Sequence, residues 1–527
     1  MTVLGRSVAT PEVRGRLLAA LTLLSLAALA ECLGCHEAVG PPAPEPAARV
    51  LRASLERAAL PPAVRLHGER KKAWKAMQDF YARRGYQPAW WDRGSLRRAA
   101  RRLPDAVDRL AADGLDTRLY PGQELRRLTD AVSSADRSAD HPEAVAALDA
   151  GLTYTFLTAA AHLAIGRIQP PERVRVGEHA APPAVDLAAA LERALGPDED
   201  PAGVLAGLAP RAAGYARLRQ ALARYRDLAA RGAPVADAVR HIELNLERWR
   251  WTGDPGSRYL LVNIPDFRLA VIEGGKEVLT MKVIVGKAHR PTPAFSDVMT
   301  ELVLNPSWHI PDSIAAGEIV PELLRDPAYL RRKGYEIKRR DGAGGPAAAS
   351  DIGGDEIRQL GKSGSPYRLV QPPGADNALG RYKFVFPNHF DVYLHDTPGN
   401  GSLFARSERD FSHGCIRLEQ PAALAAYVLA GDPQWPPPAV EAALATGRTV
   451  TIRLRRPLPV HILYQTAWVD PDGTLELRPD VYGHDSWLAA ALAAETPLWD
   501  DLRAIIRPAG PGVRLAARMS HAATLVR

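Results

Sequence analysis

The hydrophobic pattern of this chain changes period once, at Trp249-Arg250-Trp251. From about residue 51 to residue 250 the chain is rich in Ala, Leu and Arg, and apolar residues recur at helical spacing, as Leu148, Leu152 and Phe156 do. Beyond the change, short β-branched runs alternate with Gly and Pro turns, which is typical of strands. The sequence therefore predicts an α+β chain: an all-helical scaffold domain, a β-rich domain, and a C-terminal extension that packs back.

The β-rich part contains short predicted strands separated by turn residues. Two predicted helices, 312–324 and 421–429, interrupt them. The stretch 341–364 is rich in Gly, Ala and Ser, and we expect it to form a surface loop or a mobile flap. The predicted strands are 259–264, 268–272, 278–285, 298–304, 367–371, 382–386, 391–395, 416–418 and 449–454.

Length and punctuation suggest where the segments end. A chain of 527 residues has room for about two to four domains with sizeable cores. The tail is expected to add a strand at 461–466, a turn at Asp472-Gly473 and a helix near Trp487. The predicted segments are a signal peptide or N-terminal anchor at 1–35, a Pro/Ala-rich linker at 36–50, the helical scaffold domain at 51–250, a β-rich domain with the candidate catalytic residues at 251–456, and a C-terminal extension at 457–527.

The N-terminus is typical of an exported protein. Arg14 and Arg16 precede an apolar run, 17–30, that is short for a membrane span and lies where a signal-peptide core belongs. Leu33-Gly34-Cys35 resembles a lipoprotein cleavage box, although Cys32 stands where that box prefers a branched aliphatic residue. We expect export to the periplasm or cell envelope, with the leader cleaved, kept as a membrane anchor, or processed to a lipid on Cys35.

The chain is basic, with a formal net charge of +7 and a pI near 9.3. Many arginines lie in Ala/Leu-rich helical stretches such as 93–102, where solvated helix faces account for them. An envelope polyanion or an anionic membrane surface suits this charge better than DNA does. The sequence has no recognised nucleic-acid module, so we expect no nucleic-acid partner.

Cys415 is the residue that bears most directly on function. The chain has three cysteines, and the other two lie at the end of the leader, so the exported protein carries one thiol without an intramolecular disulfide partner. Flanked by His413 and Gly414, with His395 upstream, Cys415 is typical of a nucleophile. Two alternatives stay open: a structural core cysteine, and a zinc site that also uses His389, although the ligand spacing is unusual.

The two histidines have distinct expected tasks. His395 would act as a base once an acceptor, either a backbone carbonyl in the following turn or the Asp396 carboxylate, fixes its tautomer. If its segment is extended, His413 projects to the same side as Cys415 and can polarise the thiol, contact the acyl oxygen or assist proton transfer. An imidazolium neighbour would stabilise the thiolate.

The backbone around the thiol is expected to bind the oxyanion. Gly414 has no side chain and lets the substrate approach closely. The amides of Gly414, Cys415 and Ile416 are natural donors, each typically worth ~3 kcal/mol in the transition state. Arg417 is placed to clamp a carboxylate or brace the turn. We assign Ser412 to the same oxyanion and substrate-binding group.

Two motifs surround this part of the chain: His395-Asp396-Thr397-Pro398, and the run 409–418, which contains Cys415. Leu403-Phe404 lies between them. Together they resemble the signature of the L,D-transpeptidases of bacterial cell walls, which have a YkuD-type catalytic domain. Similarity to the large YcbB-type branch of that family covers most of residues 75–485. The segments that carry it are 80–90, 113–116, 245–251, 305–311, 377–381 and 384–388.

The resemblance implies a two-step acyl transfer. Cys415 would attack the L-centre carbonyl of diaminopimelate in a stem tetrapeptide and release D-alanine, and an amine of a second stem would resolve the thioester into a 3–3 crosslink. His395 would be the general base and acid, His413 would lie near the oxyanion, and Trp308 would border the substrate. The resemblance implies no metal or organic cofactor, peptidoglycan stem peptides as donor and acceptor, and a part in cell-wall biogenesis and cell shape.

One departure from the family concerns substrate binding. The YcbB-type branch often carries a peptidoglycan-binding module before its catalytic domain, but too few residues separate Tyr225-Arg226 from His241 to form a folded module here. Two alternative functions remain. Water or a free D-amino acid could resolve the same thioester, as in an L,D-carboxypeptidase or an exchange reaction, or the chain could be a non-catalytic wall-binding scaffold.

Overall fold

The fold is taken from a computed structural model, which describes residues 46–56, 68–92, 95–134, 142–180, 184–196, 200–341, 354–399 and 401–498. The predicted signal peptide or anchor, with Cys32 and Cys35, lies outside the described residues. So does the part of the predicted surface loop from 342 to 353.

The elements fall into two consecutive blocks along the chain: the first is mostly helical and the second is mostly β-strand. The helices are α1 (Pro46–Leu55), α2 (Gly68–Arg83), α3 (Arg98–Asp108), α4 (Gly122–Ser134), α5 (Pro142–Ile165), α6 (Pro170–Arg173), α7 (Leu187–Ala194), α8 (Pro201–Ala206), α9 (Ala213–Ala230), α10 (Ala236–Thr252), α11 (Asp312–Ile314), α12 (Val320–Arg325), α13 (Tyr329–Lys333), α14 (Gly354–Gln359), α15 (Gly401–Phe404), α16 (Pro421–Val428), α17 (Pro437–Ala445) and α18 (His484–Ala493). The strands are β1 (Trp91–Asp92), β2 (Ser95–Leu96), β3 (Arg258–Asn263), β4 (Arg268–Glu273), β5 (Lys276–Gly286), β6 (Phe295–Leu304), β7 (Trp308–His309), β8 (Glu336–Arg339), β9 (Tyr367–Gln371), β10 (Tyr382–Val385), β11 (Leu394–His395), β12 (Asp410–Ser412), β13 (Ile416–Leu418), β14 (Val450–Leu463), β15 (Ala467–Val469) and β16 (Leu475–Leu477).

The helical half packs around α5. Nearly every side chain of α5 from Val145 onward is buried, so the predicted apolar face is one part of a helix enclosed on all sides. By length and composition α5 is also the one described helix that could cross a membrane, and most of it is buried inside the protein. Its Asp149 carboxylate accepts hydrogen bonds from the amides of Ala89 and Trp90, each 2.8 Å long. Those bonds tie the preceding loop to the centre of the helical core.

The helical half differs from the sequence prediction in two places and agrees with it in a third. α1 begins at Pro46, inside the predicted linker 36–50, since proline is well tolerated in the first turn of a helix. β1 and β2 form a small antiparallel pair in a region predicted to be all helical. Residues 231–235 alone join α9 to α10, which pack together around Leu222 and Leu246. No folded module lies between these two described helices.

The β-rich half is built on one nine-stranded sheet. Its order is β12-β5-β13-β11-β10-β6-β14-β3-β4, and β4 also pairs with β5, so the sheet closes on itself. Alternate side chains meet in a common core that includes the fully buried Leu260, Val283, Leu302 and Phe384. The mixed helical and β-rich architecture predicted from the sequence is confirmed.

The predicted boundary at 456/457 falls inside a strand and is corrected by the structure. β14 runs through Pro457 and Pro459, pairing with β6 and, at its end, with β3. A register shift between Arg453 and Leu458 accommodates Pro457, which lacks the N–H that a regular ladder needs, and Pro459 pairs with Val298 beyond the shift. The first part of the predicted C-terminal extension therefore belongs to the main sheet.

Residues 308–371, which we call the inserted unit, lie between β6 and β10. Its sheet, in the order β7-β9-β8, packs on short helices around Leu323 and Ile337. The helix predicted at 312–324 is present, but a π-helical turn, Ala315–Ile319, interrupts it. Such turns are frequent at functional sites.

The tail packs back on the helical half, as predicted. β15 and β16 pair across the Asp472-Gly473 turn, and α18 contains Trp487. Beyond α18, the buried Glu495 carboxylate lies 2.5 Å from Nε of Arg167 and 3.2 Å from Nη2 of Arg70. These ion pairs join the end of the described chain to the N-terminal helices.

Candidate active site

Strand register brings three side chains to one face of the main sheet. β11 is parallel to β13, with His395 opposite Arg417, and antiparallel to β10, with Lys383 opposite His395. Paired residues point the same way, and side chains alternate along a strand. Tyr393 and Cys415 directly precede these two strands and lie close to the same side chains: Lys383 contacts the Tyr393 ring, and both Lys383 and Arg417 act electrostatically on the thiol.

The Cys415 thiol is partly exposed. Its Sγ lies 3.6 Å from the carbonyl oxygen of Asp391, and the amide and hydroxyl of Tyr393 are within hydrogen-bonding reach of the sulfur. Burial raises the pKa of the thiol, although the Tyr393 amide and the Lys383 ammonium act in the opposite direction. The thiol is therefore protonated at neutral pH and still open to a substrate.

His395 is buried, with 4% of its surface exposed. Its Nδ1 lies 2.5 Å from the Asp396 carbonyl oxygen, which assigns the proton to Nδ1 and leaves Nε2 as the basic nitrogen. Of the two acceptors that the sequence left open, the backbone carbonyl is the one used. The Asp396 carboxylate instead accepts from the amides of Arg381 and Thr397, at 2.8 and 2.7 Å. Burial, with Arg417 nearby, lowers the pKa of His395 to about 3.

The charge state of the pair differs from the expected one. The sequence analysis expected an imidazolium that stabilises a Cys415 thiolate, but both groups are neutral because burial disfavours the charged form of each. A neutral His395 is able to accept a proton. Proton transfer is therefore expected to accompany attack by Cys415 rather than to precede it.

His413 contacts a different element from the one expected. The chain bends through 413–415, and Gly414 has a φ of 115°, so this segment is not extended. Nε2 of His413 lies 2.6 Å from Oε1 of Glu318 in the inserted unit. The expectation that His413 projects beside Cys415 is therefore corrected, because it depended on an extended backbone.

Two of the three amides expected to bind the oxyanion are already used. The Gly414 amide donates to Oγ of Ser412 and the Ile416 amide to the carbonyl of Tyr393, each over 3.1 Å. Oγ of Ser412 in turn donates to the Cys415 carbonyl over 2.5 Å. Among the described residues, the Cys415 amide has no such partner. The structure thus corrects the assignments of Gly414 and Ile416 as donors, and it shows Ser412 bracing the loop.

Arg417 and Trp308 border the site from different elements. Burial lowers the pKa of the Arg417 guanidinium, and within the described chain its Nε is buried without a hydrogen-bond partner. Trp308, on β7, places its indole N–H within hydrogen-bonding reach of the Tyr393 hydroxyl. A cation with unused donors suits a carboxylate. Trp308 reaches the thiol through Tyr393.

Sequence reasoning missed Tyr393 and Lys383. Burial raises the pKa of Tyr393 well above its usual range, with Cys415 adding to the effect, so the phenol remains a hydrogen-bond donor. Strand alternation could have found Tyr393, two residues before His395 on a predicted strand. Lys383 carries no such local signal, because only the pairing of β10 with β11 brings it to the site.

The candidate zinc ligands lie in separate contacts. His389 packs on Phe390, with ring centroids 3.8 Å apart, and His413 is paired with Glu318. Within the part of the chain that the structure describes, no three His, Cys, Asp or Glu side chains are grouped so as to hold a metal ion. The core-cysteine alternative also fits poorly, because the Cys415 thiol is partly exposed.

Two family models and a curated relative match this chain. Residues 257–441 match the family model YkuD, the L,D-transpeptidase catalytic domain, and residues 75–222 match the Scaffold domain. A Haemophilus influenzae relative named "Putative L,D-transpeptidase" is 33% identical over 250 residues, 47% of this chain and 49% of the relative. The chain thus spans about half the length of that relative.

Solved L,D-transpeptidase structures align with 40% of the chain. An L,D-transpeptidase from Mycobacterium smegmatis is 13% identical, with 60% of that chain covered and a TM-score of 0.18. L,D-transpeptidase 1 from Mycobacterium tuberculosis is 17% identical, with 63% covered and a TM-score of 0.16. At these TM-scores the structural likeness supports no conclusion by itself.

The family matches cover both halves of the fold. One match contains Cys415, His395 and the strands of the main sheet from β3 to β13 but not β14, and the other contains most of the helical core. The chain therefore joins a Scaffold domain to an L,D-transpeptidase catalytic domain of the YkuD family and is homologous to the Haemophilus influenzae relative.

Proposed function

We propose that this protein is a cell-wall L,D-transpeptidase that forms 3–3 peptidoglycan crosslinks through a thioester on Cys415. The observation that carries the proposal is the partly exposed Cys415 thiol, directly before β13, next to the parallel strand β11 that ends at the neutral, buried His395, within a YkuD domain. The Scaffold domain supports placement in the YcbB-type branch. The family's chemistry makes stem peptides the donor and acceptor.

In the first half-reaction, Sγ of Cys415 attacks the L-centre carbonyl of diaminopimelate in a donor tetrapeptide. The thiol proton passes to Nε2 of His395, and the Asp396 carbonyl holds the resulting imidazolium. The Cys415 amide and the Tyr393 hydroxyl are the donors that we assign to the oxyanion. The C–N bond then breaks, and His395 returns the proton to the departing D-alanine amine.

In the second half-reaction, an amine of a second stem attacks the thioester carbonyl and gives its proton to His395. The C–S bond breaks, the sulfur leaves as the thiol with that proton, and an amide crosslink remains. Arg417, whose Nε has no partner in the described chain, suits a free stem carboxylate. Acyl transfer of this kind needs no metal or organic cofactor.

The same proposal places the protein in the periplasm or cell envelope, where stem peptides are found. The basic N-terminus and apolar run at 17–30 support export, with attachment through an uncleaved leader or a lipid on Cys35. Membrane fractionation of the full chain and of a Cys35→Ala variant distinguishes these routes. Recovery of the protein only from the cytoplasm would contradict the localisation.

Purified protein incubated with disaccharide tetrapeptide tests the activity. We expect dimers with a 3–3 link from the parent and none from Cys415→Ala or Cys415→Ser, measured by mass spectrometry. Tripeptide alone would identify hydrolysis, and a tetrapeptide with a new terminal D-amino acid would identify exchange. Unchanged dimers from Cys415→Ala would overturn the thioester. A parent that forms no product and no carbapenem adduct would favour a non-catalytic wall-binding role.

A further inference from the structure

Lys383 lies beside the nucleophile without a role in the scheme above. It stands opposite His395 in the β10–β11 pair, and its Nζ is 3.8 Å from the centroid of the Tyr393 ring. At this distance the ammonium is attracted to the face of the ring. The hydroxyl of the same ring contacts Cys415, so one side chain separates the ammonium from the sulfur.

The charge of Lys383 is poorly compensated. Among the described residues it makes no ion pair, and the carboxylate that acts on it, Asp391, is exposed to solvent. Burial lowers the pKa of Lys383, whereas Cys415 and Asp391 raise it. A half-buried lysine without a salt bridge costs stability, and groups perturbed in this way cluster at functional sites.

The other titratable and charged groups around the thiol leave this task open. The His395 ring is neutral, and the His413 ring is paired with Glu318. Arg417, on β13, is a second cation that acts on the thiol in the same direction, but its effect is smaller than that of Lys383. Lys383 approaches from β10, across the Tyr393 ring.

We propose that Lys383 is a positioning residue for the Cys415 thiol. Its ammonium holds the Tyr393 ring against the sulfur and stabilises the negative charge that develops there as the proton leaves. This role rests on the proposed function because it concerns the same thiol. Alkylation of Cys415 needs no transpeptidase activity, however, so the two proposals can fail separately.

The rate of iodoacetamide alkylation tests this role in the full chain, followed at the Cys415 peptide by mass spectrometry between pH 7 and 9. We expect Lys383→Met and Lys383→Gln to be about three- to tenfold slower at each pH, because losing a neighbouring positive charge raises the thiol pKa, while the higher nucleophilicity of a more basic thiolate offsets part of the loss. Lys383→Arg should restore most of the rate. Lys276→Met, at an exposed site, is the matched control.

Two results would overturn the role. One is alkylation of Lys383→Met and Lys383→Gln at the parental rate, and the other is Lys383→Arg being as slow as they are, which would indicate packing alone. Two neutral variants are used so that a folding failure in one leaves the other to decide. If the parent forms no crosslinks but the Lys383 variants still show the expected alkylation rates, the proposed function is refuted and the role of Lys383 stands.

Discussion

Oε1 of Glu318 lies 2.6 Å from Nε2 of His413 and 3.2 Å from Nη1 of Arg290. Glu318 belongs to the π-helical turn Ala315–Ile319, so this contact ties the inserted unit to the loop that precedes Cys415. The His413 ring is therefore held by the inserted unit. The two histidines therefore have different partners: His395 contacts the carbonyl of Asp396, and His413 contacts Glu318 in the inserted unit.

We expect His395→Gln and His413→Gln to differ in their effects on acylation of Cys415 by a carbapenem. Removing His395 removes the proton acceptor and should slow acylation by about 10²–10⁴-fold. His413→Gln can still donate to Glu318, so the loss should stay below about tenfold, the size of one altered hydrogen bond. Mass spectrometry of the adduct over time measures both rates. If the two variants lose the same factor in acylation rate, His413 takes part in catalysis as His395 does.

Acylation by the carbapenem should be nearly independent of pH between 5 and 8. Burial lowers the pKa of His395 to about 3 and raises the pKa of Cys415, so neither group changes its charge in this range. Below about pH 4 the rate should fall as His395 becomes protonated and can no longer accept the thiol proton. A pH–rate profile with an inflection near ~6.5, the usual histidine value, would contradict the neutral pair.

Gly380→Ala should impair catalysis through His395. Gly380 has a φ of 61°, and a Cβ at this position would lie 2.6 Å from Cβ of Asp396, whose carbonyl holds the His395 ring. We expect acylation to slow by at least ~10-fold, since small displacements of catalytic groups are costly. Gly399→Ala is the matched control: its φ is 66° but nothing lies within 4 Å, so both variants share the left-handed strain. Equal rates in the two variants would show that Asp396 is not displaced.

Glu178→Gln should change how stability depends on pH. Burial raises the pKa of Glu178 to about 7, against the opposing effects of Arg248 and Arg173. An unfolded glutamate titrates near ~4.3, so the protonated side chain stabilises the fold at low pH, and this stabilisation is lost as pH rises through 7. Gln resembles the protonated form. The variant should therefore gain about 3 kcal/mol relative to the parent between pH 4 and pH 8.

Urea unfolding at the two pH values measures that gain. Glu172→Gln, on the exposed surface of α6, is the control, and its stability relative to the parent should vary little with pH. A difference between Glu178→Gln and the parent that is the same at pH 4 and pH 8 would show that Glu178 does not titrate between those limits.

Much of the fold could be predicted because the signals are local. The strands at 259–264, 268–272 and 367–371 appear within a residue or so of their expected bounds, since β-branched runs and Gly or Pro turns act over a few positions. β14 was split in error at Pro457. A proline usually ends a strand, but here a bulge in the pairing with β6 accommodates it.

The chemistry of the site also has a part that local sequence predicts and a part that depends on long-range contacts. The sequence by itself pointed to the class of reaction, since Cys415 and two motif histidines lie within one short stretch of chain. Only the tertiary structure decided how those groups act. Burial set the protonation of Cys415 and His395, and the bend at Gly414 and the distant Glu318 placed His413. The pairing of β10 with β11 brought Lys383 to the site, where it contacts the Tyr393 ring. Desolvation and cross-strand contacts depend on residues far apart in sequence, whereas motifs and turns depend on neighbours.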